Sequence, residues 1–295
     1  MRLLTTSDFC KKEYGEKLYK LSISGGFTCP NRDGRCGTRG CIFCSEGGSG
    51  DFAASADMPL EEQIEYAKNK VSGKFTGSRY IAYFQAYTNT YAPLKKLKET
   101  YDPLLDREDI RVISIATRPD CLPEDVIEYL SELNRVKPLW VELGLQTTKE
   151  ESIKYIRRGY PTEVYDRAIR RLNDEGIHTV THIILGLPGE TRADMIESVR
   201  HAAGCGTKGI KLQLLHVLKN TDLAEDYAKG LFKTLEEDEY FSVLKDCLAQ
   251  LPDGTVIHRL TGDGPKNLLI APLWSANKKE VINRVNELIN KRGLL

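Results

Sequence analysis

Six short runs recur along the 295-residue chain, at residues 18–24, 79–85, 110–116, 139–145, 178–185 and 210–216. Their length and their β-branched or aromatic content read as buried strands. Helical patterns with legible ends separate them. Pro123 followed by Glu124 and Asp125 opens one helix, Gly159 closes another, and Thr191 with Asp194 three residues on reads as a capping box. Six βα units predict a parallel sheet with helices outside it. They are too few to close an eight-stranded barrel, so the predicted fold is α/β, an open, curved six-unit (βα)6 partial barrel.

The pattern changes after Thr221. Residues 234–251 read as one helix with Thr234 and Glu237 as a capping box, residues 255–260 as a strand, and residues 279–292 as a terminal amphipathic helix. The predicted organisation is a core barrel over 1–220 and a short α+β extension over 221–295, packed on the core. In parallel α/β architectures the chemistry sits at the carboxyl ends of the strands. There this chain turns polar, at residues 85–91, 117–120, 144–147, 186–190 and 216–221.

The first strand runs into C-P-N-R-D-G-R-C-G-T-R-G-C-I-F-C, four of the chain's eight cysteines in sixteen positions, Cys29 to Cys44. Thiolates packed this closely, in a chain with no sign of secretion, point to a metal centre rather than to disulfides. Two triplets are available, because Cys41 and Cys44 combine with either Cys29 or Cys36. Cys29 is preferred, since it directly follows a strand that fixes it in place, whereas Cys36 lies in mid-loop. A structural zinc site using all four is the competing reading. Such sites usually pair two C-x2–4-C knuckles, and only Cys41–Cys44 forms one. Three thiolates on a four-iron cluster leave one iron without a protein ligand, which is what separates a reactive site from a structural one.

Forty-two basic and forty-two acidic residues cancel, which argues against an extended nucleic-acid-coating surface and leaves room for a local basic patch. Candidate phosphate contacts are Lys95, Lys96 and Lys98, Arg157, Arg158, Arg167, Arg170 and Arg171, and Lys278, Lys279, Arg284, Lys291 and Arg292. Runs of this kind on helices are also commonly solvated faces. No stretch of about 18 apolar residues occurs, so a cytoplasmic protein outside the membrane is expected.

The cysteine loop, taken with Y-F-Q-A-Y-T-N-T-Y (83–91), A-T-R-P-D-C-L (116–122), E-L-G-L-Q-T (142–147), H-I-I-L-G-L-P-G-E-T (182–191) and H-R-L-T-G-D-G-P-K (258–266), resembles the radical S-adenosylmethionine (SAM) superfamily. More narrowly it is similar to the YhcC/YtqA-type group, relatives of the Elongator catalytic subunit. The superfamily's usual spacing is C-x3-C-x2-C; the x11 interval here matches the narrower group, of whose pattern Cys36 is not a part.

The resemblance implies a [4Fe-4S] cluster on Cys29, Cys41 and Cys44, whose open iron takes the amino and carboxylate groups of SAM. It implies reductive cleavage of SAM to a 5′-deoxyadenosyl radical and methionine, with a flavodoxin- or ferredoxin-type electron donor. Phe43 is similar to the residue that meets the adenine; Gln85, Thr88 and Asn89 to those near the SAM amino group; Gln146 to the one approaching the ribose. Arg118 is a carboxylate partner by its guanidinium fork, or else a partner of Asp120. Gly186 to Gly189 implies a turn near the adenine. His182, His216 and Tyr87 are the candidates for touching substrate, with Tyr91 as a further cavity aromatic. Kinship with the Elongator subunit implies a tRNA substrate, at the C5 side chain of wobble uridine 34. The narrower group implies removal of the carboxymethyl part of 5-carboxymethylaminomethyl-(2-thio)uridine to leave the aminomethyl form. A small metabolite or peptide substrate, or a zinc-stabilised RNA-binding module without catalysis, are the other readings.

Overall fold

The six apolar runs form strands where their composition predicts them. In the computed structural model, which describes residues 3–290 apart from 49, 74, 76 and 263, they are β2 (Tyr19–Ile23), β3 (Tyr80–Phe84), β4 (Ile110–Thr117), β5 (Leu139–Gln146), β6 (His178–Leu185) and β7 (Gly209–Leu214). A short β1 (Leu4–Thr5) precedes them; β8 (Val217–Leu218), β9 (Val256–Arg259) and β10 (Leu269–Ala271) follow. The helices are α1 (Thr6–Tyr14), α2 (Leu60–Val71), α3 (Leu94–Tyr101), α4 (Glu124–Val136), α5 (Glu150–Tyr155), α6 (Thr162–Asp174), α7 (Arg192–Gly204), α8 (Asp222–Ala228), α9 (Glu237–Leu248) and α10 (Lys278–Asn290).

The main sheet runs β1-β9-β7-β6-β5-β4-β3-β2, and every pairing in it is parallel. It therefore has eight strands instead of six, because β9, read from the sequence as part of the extension, pairs with β7 and carries β1 on its far side. The sheet curls. Lys211 on β7 reaches the Tyr83 hydroxyl on β3, four strands away in sheet order, at 2.7 Å. It does not close: among the described residues β2 pairs only with β3, which leaves an opening between β2 and the β9/β1 edge.

The capping box at Thr191 and Asp194 forms and starts α7. The one expected at Thr234 and Glu237 does not: α9 begins at Glu237 behind Glu236, with no side-chain cap. Lys291 and Arg292 lie outside the described residues.

Alternation along each strand sorts residues between two environments. Leu21, Ala82, Ile113, Val141, Ile183 and Leu212 point outward into the core beneath the helices. The inward residues form levels. Near the amino ends, Leu18, Ile81, Val112 and Trp140 pack with Cys10 of α1 as an apolar plug. One step along, the interior turns polar and charged with Lys20, Tyr83, Ser114, Glu142 and Lys211. Above this level lies a cavity at the strand ends.

Candidate active site at the strand ends

The loop after β2 is held in shape by its own backbone. Arg32 and Asp33 donate to the Cys29 carbonyl at 2.8 and 3.2 Å, Cys36 to Pro30 at 2.7 Å, Gly40 to Asn31 at 2.7 Å, and Cys44 to Cys41 at 3.0 Å. Ile42 pins the loop to the barrel, donating to Ile156 at 3.3 Å and accepting from Leu223 of α8 at 3.0 Å. Cys29, Cys41 and Cys44 all line the strand-end cavity, whereas Cys36 is exposed and lies outside its lining.

Among the described residues, the one set of three His, Cys, Asp or Glu ligand atoms within 4.8 Å of one another is Asp166, His201 and Cys205, on outer helices. The loop sulfurs as a set are therefore more widely spaced.

The electrostatics favour a thiolate at Cys41. The hydrogen bond from the Cys44 thiol, aided by Asn31, Arg118 and Arg32 and opposed by burial, brings Cys41 down to about 7; Cys44 is raised in return. Asn31 is a residue that sequence reasoning missed. Its side-chain nitrogen donates to Cys41 Sγ at 3.2 Å and to the Arg157 carbonyl at 2.7 Å, tying the ligand loop to the end of α5.

Facing the sulfurs are Phe43, Gln85, Thr88 and Gln146. Thr88 Oγ1 and Gln146 Oε1 are buried and lack any hydrogen-bond partner. Orphaned oxygens of this kind are costly in a finished interior and suit a polar ligand. Gln146 has φ +59°, and the cavity residue Tyr87 has φ +61°. Left-handed backbone is unfavourable for such side chains and collects at functional sites. Gly144 makes room here: a Cβ at that position would sit 2.5 Å from Gln146 Nε2. Three convergent thiols, a cation-rich surround and unpartnered oxygens thus fit an iron–sulfur cluster with a zwitterionic, hydroxyl-bearing ligand beside it.

The cavity floor was not anticipated as a unit. Glu142 is fully buried and accepts from five groups: Lys20 and Ser114 at 2.9 Å on Oε1, and Tyr83 at 3.0 Å, His182 at 2.8 Å and Lys211 on Oε2. Burial works against its charge, yet Lys20 and Lys211 hold it well below the usual carboxylate range. Burial draws Lys211 down from its ordinary value, and burial with the Lys211 charge draws His182 down to about 4. The imidazole is therefore neutral at pH 7. The signal was in the sequence: Glu142 in Leu-Trp-Val-Glu-Leu-Gly and Lys211 in Gly-Ile-Lys-Leu-Gln-Leu are single charges inside apolar strands.

Several expected site residues have other work. Asn89 is fully buried and outside the cavity lining; its amide donates to the carbonyls of Phe84, Ala86 and Ala116 at 3.2, 3.0 and 2.8 Å. Arg118 reaches the cavity, but its fork is engaged by Asp120 at 2.9 and 2.8 Å and stacks over Tyr160. Gly186 and Gly189 do not line the cavity; on β6 it is His182 and Ile184 that do. His182 and Tyr87 line it, the Tyr87 hydroxyl donating to the Glu46 carbonyl at 2.6 Å. His216 lines an adjoining cavity that shares Phe43, Gln85 and Ile184 with the first. Tyr91 faces a separate groove.

The basic candidates fare similarly. Arg158 is 2% exposed and donates to the Leu145, Thr147 and Tyr160 carbonyls at 2.7, 2.7 and 3.0 Å. Arg157 pairs with Asp222, Arg171 with Glu124, and Arg284 with Glu237 and Asp238. Those arginines are structural or solvated pairs.

Residues 32–202 match the family model described as the Radical SAM superfamily, and residues 207–291 match the Radical SAM C-terminal domain. The chain is 44% identical to YtqA of Bacillus subtilis over 292 residues, 99% of this chain and 91% of that protein. It is 32% identical to YhcC of Escherichia coli, across 96% and 91% respectively. A more distant similarity, 26% over 185 residues, covers 62% of this chain and 34% of a protein named tRNA uridine(34) acetyltransferase from Methanocaldococcus infernus. Among solved structures, the archaeal M. infernus Elp3 superposes with a TM-score of 0.67 at 17% identity, covering 94% of this chain and 64% of that one.

Proposed function

The chain belongs to the radical SAM superfamily, and we propose that this radical SAM enzyme, with a [4Fe-4S] cluster and SAM as its cofactors, modifies the C5 side chain of wobble uridine 34 in transfer RNA. The reaction we assign is removal of the carboxymethyl part of 5-carboxymethylaminomethyl-(2-thio)uridine, leaving the aminomethyl nucleoside; with one hydrogen atom lost to the deoxyadenosyl radical and one electron to the oxidised cluster, the methylene beside the amine would become an imine carbon that water splits from nitrogen as glyoxylate. The substrate assignment rests on one observation, the similarity of 62% of this chain to a protein named for uridine 34.

When bound, cluster and SAM supply a one-electron cleavage of the sulfonium and with it a hydrogen-abstracting carbon radical. The protein supplies everything that aims it. In this reading Cys29, Cys41 and Cys44 hold the cluster, and the Asn31 amide and the nearby arginines stabilise the sulfur charge. Thr88 Oγ1 and Gln146 Oε1 accept from the ammonium or hydroxyl groups of SAM, with Phe43 against its adenine. The apolar plug under Trp140 keeps water from entering through the barrel's amino end. His182, neutral and fixed by Glu142, stands at the floor where a substrate side chain arrives. A flavodoxin- or ferredoxin-type protein delivers the electron.

The test is anaerobic reconstitution with iron and sulfide, followed by incubation with dithionite and SAM, with and without bulk tRNA. The expected result is 5′-deoxyadenosine formation stimulated by tRNA, together with loss of its carboxymethylaminomethyl nucleoside. If tRNA neither stimulates cleavage nor changes its nucleoside content, the substrate assignment fails and the enzyme class stands.

A further inference from the structure

The lateral opening of the barrel holds a feature that the cofactor site does not use. A groove of about 740 Å³ runs along the unpaired side of β2, between α2 and β9. Five cations line it, Lys17, Lys20, Lys70, Arg259 and Lys278, and among the described residues lining it there is no carboxylate. Lys20 is matched by Glu142 behind it, and the other four cations sit on a lining without acid in a chain whose charges cancel overall. The groove of similar size between α4 and α6, about 770 Å³, differs: Asp120 and Asp125 accompany Arg35, Arg167 and Arg171 there.

Aromatic side chains are interleaved with the cations. Phe52 is 41% exposed and Tyr66 42% exposed, and both line the groove. Each is paired with a lysine: Lys70 Nζ lies 4.3 Å from the Tyr66 ring centre, and Lys278 Nζ lies 5.6 Å from that of Phe52. Exposed rings next to phosphate-seeking cations are the components of a single-stranded nucleic-acid groove, in which bases stack and the backbone is neutralised. The groove also communicates with the chemistry. Gln85 lines both it and the cysteine cavity, and Tyr83, which lines the groove, donates to Glu142 on the cavity floor.

We propose that this lateral groove docks a single-stranded RNA segment, with phosphates on Lys17, Lys70 and Lys278 and bases against Phe52 and Tyr66, and leads the target nucleotide past Gln85 to the cysteine cavity. The inference rests on the tRNA reading and adds the surface that reading lacks. It also accounts for a neutral protein recognising RNA: the charge is concentrated at the barrel's opening. An extended peptide added to the free edge of β2 is the competing occupant. The lining favours RNA, because rings exposed beside cations serve a stacked base and its phosphate together, whereas main-chain pairing along β2 uses neither.

The experiment measures binding of an anticodon stem-loop RNA to the cluster-loaded protein over a salt series, alongside RNA-independent formation of 5′-deoxyadenosine. Lys17→Gln/Lys70→Gln is expected to weaken RNA binding about tenfold and to flatten the plot of log affinity against log salt by about 0.7 per lost phosphate contact. RNA-independent SAM cleavage is expected to be unchanged. Tyr66→Ala is expected to cost about tenfold in affinity with the salt slope retained, the mark of lost stacking. Wild-type protein that binds and modifies tRNA, with both variants equal to it, overturns the groove and leaves the tRNA reading intact. Wild-type protein that leaves tRNA unmodified brings down the tRNA reading itself. Poly-L-glutamate bound in a Lys17- and Lys70-dependent manner, with RNA unbound, makes the groove a peptide dock and overturns the RNA assignment.

Discussion

Asn31 donates its side-chain amide to the sulfur of Cys41 across 3.2 Å, and the same nitrogen donates to the Arg157 carbonyl. A donor fixed at both ends keeps its aim whatever the ligand state of the sulfur. Hydrogen bonds to cluster sulfurs raise reduction potential by stabilising negative charge. Asn31→Ala is therefore expected to retain iron and to shift the reconstituted cluster to a more negative potential, read by redox titration with electron paramagnetic resonance. An unchanged potential would remove Asn31 from the electrostatic account of the site.

The two triplets allowed by spacing separate by iron content. Cys29, Cys41 and Cys44 share the cavity and Cys36 does not, so alanine at any of the first three is expected to abolish the cluster chromophore. Cys36→Ala is expected to keep both iron and SAM cleavage near wild-type levels. Iron loss in the Cys36 variant would restore the competing ligand set.

Glu142 is the counter-charge for two lysines in the barrel interior. Glu142→Gln preserves shape and leaves buried cations facing each other, a change that costs about 3–5 kcal/mol. Lys211→Met in that background removes one of those cations. The double variant is expected to be more stable than Glu142→Gln alone, measured by urea unfolding in one cluster state. Additive losses would show that the pair is not coupled.

Three half-buried histidines make stability depend on pH below neutrality. Burial brings His178 and His182 down to about 4 from an ordinary 6.5, and takes His258 well below that ordinary value. Between about 4 and 6.5 the unfolded chain binds protons on these rings that the folded chain does not. Stability is therefore complete above about 6.5 and is lost as pH falls toward 4, each ring contributing up to about 1.4 kcal/mol per pH unit. Melting temperature followed from pH 7.5 to 4.5 is expected to drop through that window, and less steeply for His178→Gln. A flat profile contradicts the burial argument.

Strands were legible because their composition is local: β6 spans the very residues its sequence marks, 178–185, and the ends of β4 and β5 differ by one residue. The joining of β9 to β7 was not legible, since the choice of partner strand is a tertiary decision. At the site, the strand before Cys29 marked it as the better-fixed thiol, and in the structure Cys29 lines the cavity while Cys36 does not. Arg158 could not be read correctly, and Asn89 and Arg118 only as alternatives, because a polar residue in a turn does not announce whether a ligand, a carboxylate or a carbonyl will meet it. In the structure Asn89 serves three carbonyls and Arg118 serves Asp120. Glu142 and Lys211 show the reverse: their signal was plain, and only the fold revealed that both belong to one interior cluster.

Thr88 offers a test in which folding and cofactor binding pull in opposite directions. Its hydroxyl is buried at 1% exposure, lines the cysteine cavity and has no partner, while its backbone N–H donates to Thr28 at 3.1 Å. A hydroxyl kept only for packing is better replaced by a methyl group, because an unsatisfied buried polar atom costs about 1–3 kcal/mol. Thr88→Val is nearly isosteric, so the protein without SAM is expected to melt at the same temperature or higher. A hydroxyl that completes its hydrogen bonds on SAM gives the opposite sign in binding: the valine variant is expected to bind SAM about tenfold more weakly, measured by calorimetry on the reconstituted protein. Higher stability with unchanged SAM affinity would leave Thr88 as a strand-end residue and shift the recognition of SAM to Gln146 and Gln85.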